Sequence, residues 1–218
     1  MREPLEVEIW ADVVCPWCYI GKRRFEEALA SFEHRDDVRV TLRSFELDPT
    51  PREASEGDVA RLLAAKYGMT ESEARQAVEG VRRTAQEVGI DMSDGQRHHG
   101  NTRDAHRLLH LAADQGLQEQ LAEALYKAHF TEGRSLVDPD SLAAIATSVG
   151  LDPAEVKRVL AGTEYDEAVT ADEELAAEFG ISGVPFFVFD RRLGVSGAQP
   201  AALLAEALAQ AWNENATG

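Results

Sequence analysis

The pattern of apolar and polar residues divides the chain into a first segment, a long middle segment and a last segment. Apolar and acidic residues alternate along Leu5–Trp10, and this alternation predicts a β-strand. A second alternating run, Val38–Arg43, follows a stretch of good helix formers, Lys22–Ala30. A right-handed crossover through that helix would make the two strands parallel neighbours in one sheet.

The middle segment, about residues 51–163, carries apolar residues at helical spacing from one end to the other. Helix start signals recur along it, including the capping box Thr70–Glu73 and the Asp152-Pro153 pair. The connection Asp91–Gly100 between two of these helices is polar, and we expect a loop there. Consecutive helices without an intervening strand cannot belong to the sheet, so we expect an inserted helical subdomain.

The last segment returns to the sheet. Phe186–Phe189 and Leu193–Ser196 predict two strands joined by a close hairpin, and a final helix follows them. The pattern therefore predicts an α/β protein with a discontinuous sheet domain, residues 1–50 and 164–218. Residues 51–163 would form the all-helical insertion.

The two cysteines of the chain, Cys15 and Cys18, lie where the first predicted strand meets the first predicted helix. Pro16 suits the first helical position, which places Cys15 at the helix cap and Cys18 one turn further on, within reach of a disulfide. Free backbone amides and the helix dipole favour a thiolate at the cap. We therefore expect Cys15 to be an acidic, exposed nucleophile and Cys18 to be a more enclosed thiol that resolves a mixed disulfide.

Two other interpretations of the cysteine pair are weaker. A structural disulfide across so short a loop would stabilise the chain little, because the entropic benefit grows with loop length. A zinc site would need further ligands, for which His98-His99 are the adjacent candidates. His106 and His110 share a helix face at a spacing that metals use, but packing is the more common role. We predict redox chemistry with neither a metal nor a cofactor.

Composition narrows the choice of partners. The chain of 218 residues has 39 acidic against 22 basic side chains and a formal net charge of −17, which disfavours nucleic acid and anionic membrane surfaces. It contains no apolar stretch long enough to cross a bilayer. The first residues carry no apolar leader, so we expect a cytoplasmic protein. In a reducing compartment, cysteines at this spacing are more often catalytic or metal-binding than structural.

Several segments together resemble the DsbA-like thioredoxin-fold oxidoreductases: Asp12–Cys18, Asn101–Leu108, Gly183–Phe187 and Ser196–Pro200. They are especially similar to the FrnE-type subgroup, which is related to 2-hydroxychromene-2-carboxylate isomerases and kappa-class glutathione transferases. The segments run from one end of the chain to the other, so the resemblance covers essentially all of it. It implies a thioredoxin fold, with a mixed sheet flanked by helices, and a large all-helical insertion.

The resemblance also implies roles for residues outside the cysteine pair. Pro185 would be a cis-proline that packs against the cysteine pair, and Val184 would offer its backbone N–H and C=O to an extended substrate. In the isomerase and kappa-class relatives, an asparagine placed like Asn101 borders the substrate or glutathione. The alternative is that Asn101 or Thr102 only caps its helix.

Asp12 and Trp17 complete the predicted surroundings of the sulfur atoms. A buried Asp12 could accept the Cys18 proton or raise both thiol pKa values by like-charge repulsion, although an aspartate that caps the loop is the simpler interpretation. Trp17 would be an apolar surface beside the sulfur. It supplies no positive charge, so we expect a couple less oxidising than the strongest oxidants of this kind.

These features favour a dithiol–disulfide oxidoreductase whose partner is a thiol or disulfide substrate, either a protein or a small molecule. A low-molecular-weight thiol is a further candidate partner. The alternative enzyme is a thiol (glutathione-like)-dependent isomerase of an aromatic or polyketide-like small molecule, but such relatives typically have serine at the position of Cys15. A non-catalytic zinc-dependent or chaperone-like binding module is the third interpretation. The sequence favours no particular oligomeric state, physiological substrate or direction of electron flow.

Overall fold

The structure is a computed structural model that describes residues 3–50, 55–93 and 97–215. The chain divides into two compact units, the first made of Met1–Phe45 and Asp172–Gly218, the second of Glu46–Ala171. Its strands and helices follow in chain order: β1 Leu5–Ala11, α1 Pro16–Ser31, β2 Val38–Ser44, β3 Ser55–Gly57, α2 Val59–Tyr67, α3 Glu71–Glu87, β4 Arg97–His99, α4 Arg103–Asp114, α5 Gln118–Phe130, α6 Pro139–Ser148, α7 Pro153–Ala161, α8 Asp166–Glu178, β5 Phe186–Phe189, β6 Leu193–Ser196 and α9 Ala201–Asn215. Within the described ranges, no helix is both long enough and apolar enough to cross a bilayer.

The first unit is built on a four-stranded sheet in the order β2-β1-β5-β6. β1 pairs with β2 in parallel, with Leu5 opposite Val38, as the predicted crossover requires. β1 pairs with β5 in antiparallel orientation, with Val7 opposite Phe189, and β5 continues into β6 as a hairpin. This mixed sheet confirms the predicted α/β fold class.

Alternation along β1 sends its side chains to two sides of the sheet. On one side, Leu5, Val7 and Ile9 are buried in the main core with apolar residues of α1, β5 and α9: Phe25, Ala28, Phe187, Phe189, Leu204, Ala207, Leu208, Ala211 and Trp212. On the other side, Trp10 is fully buried in a smaller cluster with Ala176, Ile181 and Val188. Both sides of the strand that leads to Cys15 are therefore packed.

A group of charges around the buried carboxylates of Glu8 and Asp172 lies on the side of the sheet that carries Trp10. The Glu8 carboxylate accepts hydrogen bonds from Arg43 Nη2 at 2.6 Å and from Arg191 Nε at 2.9 Å. Arg43 also contacts the Asp172 carboxylate at 2.9 Å, and the backbone carbonyl of Asp172 accepts the indole N–H of Trp10 at 2.9 Å. Burial alone would raise the pKa of Glu8, but the hydrogen bonds from Arg191 and Arg43 outweigh it and lower that pKa.

The second unit is mostly helical. The capping box predicted at Thr70–Glu73 is confirmed, with both reciprocal hydrogen bonds formed at the start of α3. Asp152 caps α7 and accepts the N–H of Ala154 at 2.8 Å. The unit departs from the all-helical expectation at β3 and β4, two antiparallel strands of three residues each. Strands this short contain too few residues for alternation to be recognised.

Candidate active site

The cysteine pair lies at the strand-to-helix junction. β1 ends at Ala11, and α1 begins at Pro16 with Cys15 as its N-cap residue in extended conformation, φ −89° and ψ 114°. The Cys15 N–H donates to the carbonyl of Asp12 at 3.1 Å, and the Cys15 carbonyl accepts the N–H of Cys18 at 3.1 Å. The first turn of the helix therefore brings Cys18 back beside Cys15.

The two thiols are free in this structure and differ sharply in acidity. A hydrogen bond from the Cys18 thiol lowers the pKa of Cys15, and the backbone N–H groups of Cys18 and Trp17 lower it further. These donors outweigh burial and the negative charge of Asp12, which act in the opposite direction. Burial, followed by the hydrogen bond and charge of Cys15, raises the pKa of Cys18 well above its usual range. The pair thus consists of one thiol with a lowered pKa and one with a raised pKa.

The expectation of an exposed Cys15 is wrong. Cys15 is 5% exposed and Cys18 is 2% exposed, whereas Trp17 beside them is 42% exposed. The cause is a chain segment that is distant in sequence: the Cys15 Sγ atom lies 3.8 Å from the carbonyl oxygen of Val184. Only a narrow part of the Cys15 surface remains accessible to a reagent or substrate.

The Val184-Pro185 segment, called the proline loop from here on, covers the sulfur. The peptide bond between its two residues is cis, and Pro185 is buried. The Pro185 carbonyl accepts the N–H of Gly197 at 2.8 Å, which ties the loop to the end of β6. Among the described residues, no hydrogen bond engages the N–H of Val184. The residue whose carbonyl contacts the Cys15 thiol therefore has a backbone donor that is not engaged within the described residues.

Gly21 belongs to this site, although sequence reasoning did not identify it. It lies on the buried side of α1, and a β-carbon added there would come within 2.8 Å of Cγ of Pro185. The helix and the proline loop are thus in direct contact at this glycine. A signal was present in the sequence: a glycine among good helix formers, where glycine is normally disfavoured.

Asp12 is buried, with 1% of its surface exposed. Its Oδ1 atom lies 3.5 Å from the N–H of Val14, a long hydrogen bond that caps the loop only weakly. Its negative charge raises the pKa values of both Cys15 and Cys18. Asp12 therefore acts on the thiols electrostatically as well as contributing to the loop.

Asn101 lies in the second unit, where its side chain is fully engaged. Its Nδ2 donates to Glu46 at 2.6 Å, and its Oδ1 accepts the N–H of Arg103 at 2.8 Å at the start of α4. The Arg103 guanidinium continues the network to Glu46 at 3.0 Å and to Asp166 at 2.8 Å. Thr102, the N-cap residue, makes no capping hydrogen bond with its side chain. Asn101 thus caps the helix from one position earlier and anchors it to Glu46.

The histidines considered for a metal are placed separately. His106 is buried within α4, and the ring of His110 stacks on Tyr165 with centroids 6.4 Å apart. His98 and His99 lie in β4. In the part of the chain that the structure describes, no three histidine, cysteine or acidic residues converge to hold a metal ion.

Comparison with known proteins connects this site to a family. The sequence model of the DSBA-like thioredoxin domain matches residues 6–209. A probable DsbA oxidoreductase from Streptomyces coelicolor has a crystal structure similar to this chain, with a TM-score of 0.92 and 48% identity over 96% of this chain and 91% of that chain. The uncharacterised protein YwbO of Bacillus subtilis is 27% identical over 186 residues, 84% of this chain and 86% of its own length.

A more distant solved structure shares the fold alone. The cytosolic disulfide reductase DsbM from Pseudomonas aeruginosa, solved with glutathione, has a TM-score of 0.64 at 18% identity. The alignment covers 94% of this chain and 98% of DsbM. The insertion is therefore shared with a relative of low sequence identity, because the match extends over nearly the whole of both chains.

Proposed function

Since this chain belongs to the DSBA-like thioredoxin domain family, we propose that it is a dithiol–disulfide oxidoreductase with Cys15 as nucleophile and Cys18 as resolving thiol. The observation that supports this most strongly is geometric: Cys15 is the N-cap residue of α1, and the Cys18 N–H donates to the Cys15 carbonyl at 3.1 Å, which brings the second thiol back beside the first. The pKa of Cys15 is lowered and that of Cys18 is raised, which agrees with this arrangement. Disulfide exchange needs one thiolate that attacks the substrate and one thiol that stays protonated until it resolves the mixed disulfide. A structural pair would need no such difference.

The reaction proceeds in two exchanges. The Cys15 thiolate attacks one sulfur of a substrate disulfide, forms a mixed disulfide, and releases the other substrate sulfur as a thiolate that takes up a proton. Cys18 then loses its proton and attacks the Cys15 sulfur, which releases the second substrate thiol. The protein is oxidised to the Cys15–Cys18 disulfide by two electrons, and the substrate is reduced by two. Exchange in the opposite direction with a dithiol substrate restores the starting state.

The surroundings of the cysteines fit this sequence of steps. Formation of the mixed disulfide removes the Cys15 negative charge, which is one of the causes of the raised pKa of Cys18, so Cys18 becomes easier to ionise when it is needed. Until then burial, the largest cause of the raised pKa of Cys18, keeps that thiol protonated, and the Asp12 charge contributes in the same direction. The free N–H of Val184 and the cis Pro185 would receive an extended substrate segment beside the sulfur, and Trp17 would offer it an apolar surface.

Some expectations from the sequence stay predictions. They are a substrate-binding role for Asn101, a cytoplasmic location, and a low-molecular-weight thiol as partner. The position of Asn101 inside its own hydrogen-bond network favours the helix-capping alternative.

The proposed function is tested with Cys18→Ser and Cys15→Ser. With Cys18→Ser, we expect a mixed disulfide to a substrate such as insulin to accumulate, because no resolving thiol remains, and mass spectrometry of the non-reduced adduct should locate it at Cys15. With Cys15→Ser, we expect no adduct and loss of insulin reduction. If insulin reduction by the unmodified protein needs neither cysteine, the proposal is wrong. Turnover of an aromatic substrate that needs glutathione and survives Cys18→Ser would instead support the isomerase.

A further inference from the structure

Gly21 lies inside α1 at a position where the absence of a side chain matters more than backbone freedom. Its φ angle is outside the left-handed region, so other residues could adopt the same backbone conformation. Glycine in a helix interior lowers helix stability relative to alanine. The reason for a glycine here must therefore come from its neighbours.

Those neighbours are the proline loop and the strand that follows it. A β-carbon at Gly21 would lie 2.8 Å from Cγ of Pro185 and 3.4 Å from Cζ of Phe187. Non-bonded carbon atoms pack at about 3.5–4.0 Å, so the distance to Pro185 is far too short. The pyrrolidine ring is closed onto its own backbone and cannot rotate away as the end of a flexible side chain would.

The proline loop is also held from its other side. Its Pro185 carbonyl is bound to the N–H of Gly197 at 2.8 Å. The ring of Phe186, the next residue, lies so close to Gly194 that a β-carbon there would be 3.0 Å from it. An added methyl group at Gly21 would therefore have to separate α1 from a loop that is anchored to the sheet.

That separation would be transmitted directly to the sulfur. Cys15 lies at the start of α1, and its Sγ atom is 3.8 Å from the carbonyl oxygen of Val184, the residue before Pro185. The contact between Gly21 and Pro185 thus joins the same helix to the same loop. The distance between Gly21 and Pro185 therefore bears on the distance between the Val184 backbone and the Cys15 thiol.

We propose that Gly21 is a positioning residue that sets the separation between the Cys15 thiol and the Val184 backbone, and through it the fit of an extended disulfide substrate. This inference rests on the proposed function. Gly21 acts through its contact with Pro185, so its replacement should weaken substrate fit while the groups that make Cys15 acidic stay in place. Those groups, the Cys18 thiol and the backbone N–H groups of Cys18 and Trp17, belong to the first turn of α1 itself. A displaced loop would only reduce the burial of Cys15, and burial raises the pKa of Cys15, so that pKa should not rise.

The test compares Gly21→Ala with Pro185→Ala, the double variant, and Gly80→Ala as a matched control. Gly80 is a glycine inside α3 with nothing within 4 Å of an added β-carbon. Oxidation of each reduced protein by insulin, followed in single turnovers at increasing insulin concentration, separates the half-saturating concentration from the maximal rate. Alkylation of Cys15 by iodoacetamide across pH reports thiol acidity without any substrate, and circular dichroism reports folding.

For Gly21→Ala we expect the ratio of maximal rate to half-saturating concentration to fall about tenfold, since displacements of 1 Å at a reacting centre can cost about a hundredfold. The half-saturating concentration should rise more than the maximal rate falls, and the midpoint of alkylation should not move to higher pH. In the Pro185→Ala background the same glycine change should have little further effect, because the ring carbon that it meets is gone. Gly80→Ala should behave as the unmodified protein.

Several outcomes would overturn the inference. One is an unchanged ratio for Gly21→Ala, and another is a full additional loss in the Pro185→Ala background. If Gly21→Ala does not fold, the double variant should fold as Pro185→Ala does, and its failure to do so would also count against the inference. An alkylation midpoint moved to higher pH in Gly21→Ala would show that the change removed the groups that make Cys15 acidic, and would also count against the inference. Absence of insulin reduction by the unmodified protein would overturn the proposed function and this inference with it.

Discussion

Replacement of Asp12 by asparagine should make Cys15 a stronger acid. The Asp12 carboxylate is buried, and its negative charge raises the pKa values of both cysteines. Asparagine keeps the shape and an oxygen that can accept the Val14 N–H but removes the charge. The donors that lower the pKa of Cys15, the Cys18 thiol and the backbone N–H groups of Cys18 and Trp17, remain in place. With the opposing charge gone, the pKa of Cys15 should fall.

The sign of the effect on reactivity follows from two opposing factors. A lower pKa of Cys15 increases the fraction of thiolate at any pH below that pKa. The nucleophilicity of each thiolate falls as its pKa falls, with a Brønsted coefficient of about 0.4–0.5, so about half of the logarithmic gain at low pH is lost. Alkylation of Asp12→Asn should thus be faster than that of the unmodified protein at low pH and slower at high pH.

The assay is the rate of Cys15 alkylation by iodoacetamide between acidic and alkaline pH, with the modified residue identified by mass spectrometry. Asp36→Asn is the matched control, because it removes the same charge in the same unit from a side chain that is 96% exposed. We expect the curve of alkylation rate against pH for Asp36→Asn to overlay that of the unmodified protein. The curve for Asp12→Asn should instead cross that of the unmodified protein. Curves that do not cross, or a midpoint that moves to higher pH, would refute the electrostatic role of Asp12.

Two further predictions concern the sheet beneath the site. Glu8→Gln should lower the free energy of unfolding by about 2 kcal/mol at neutral pH, since a hydrogen bond to a charged group contributes about 1.5–3 kcal/mol. The control is Arg39→Gln, which removes the exposed ion pair between Arg39 and Glu6. The pKa of Glu8 is lower in the folded protein, so its contribution is present above the unfolded pKa and is lost as pH falls through the folded one. Urea titrations should therefore show the difference between Glu8→Gln and the unmodified protein vanish in acid, and a constant difference would contradict this. Phe187→Ala should cost about 3–5 kcal/mol, because the ring is fully buried and stacks on Phe25 with centroids 5.6 Å apart; a loss below about 1 kcal/mol in thermal or urea unfolding would contradict the packing.

Features that depend on neighbouring residues were predictable from the sequence. The alternation of Leu5–Trp10 identified β1 because the two sides of a strand face different surroundings at every step. Pro16 and the helix formers after it placed Cys15 at the cap, and Thr70–Glu73 placed the start of α3. In each case the whole physical cause lies within a few residues of the chain. Family resemblance added Pro185, which no local pattern distinguishes from an ordinary proline before a strand.

Features that join distant segments were decided by the tertiary structure. Cys15 is buried because Val184, 169 residues away in sequence, lies against its sulfur. Gly21 matters because Pro185 occupies the space where its side chain would be. The short strands β3 and β4 pair with each other although two helices, α2 and α3, separate them in sequence, and neither strand has a pattern of its own.

The sequence by itself determined the elements, the position of the two thiols on one helix turn, and the direction in which the amides of that turn act on Cys15. The tertiary structure alone decided how accessible that sulfur is and which backbone groups stand beside it. The physical reason is the distance along the chain between the residues that interact. Hydrogen bonding and capping within a turn are fixed by adjacent residues, whereas burial and close packing depend on which distant segment the folded chain brings to the same place.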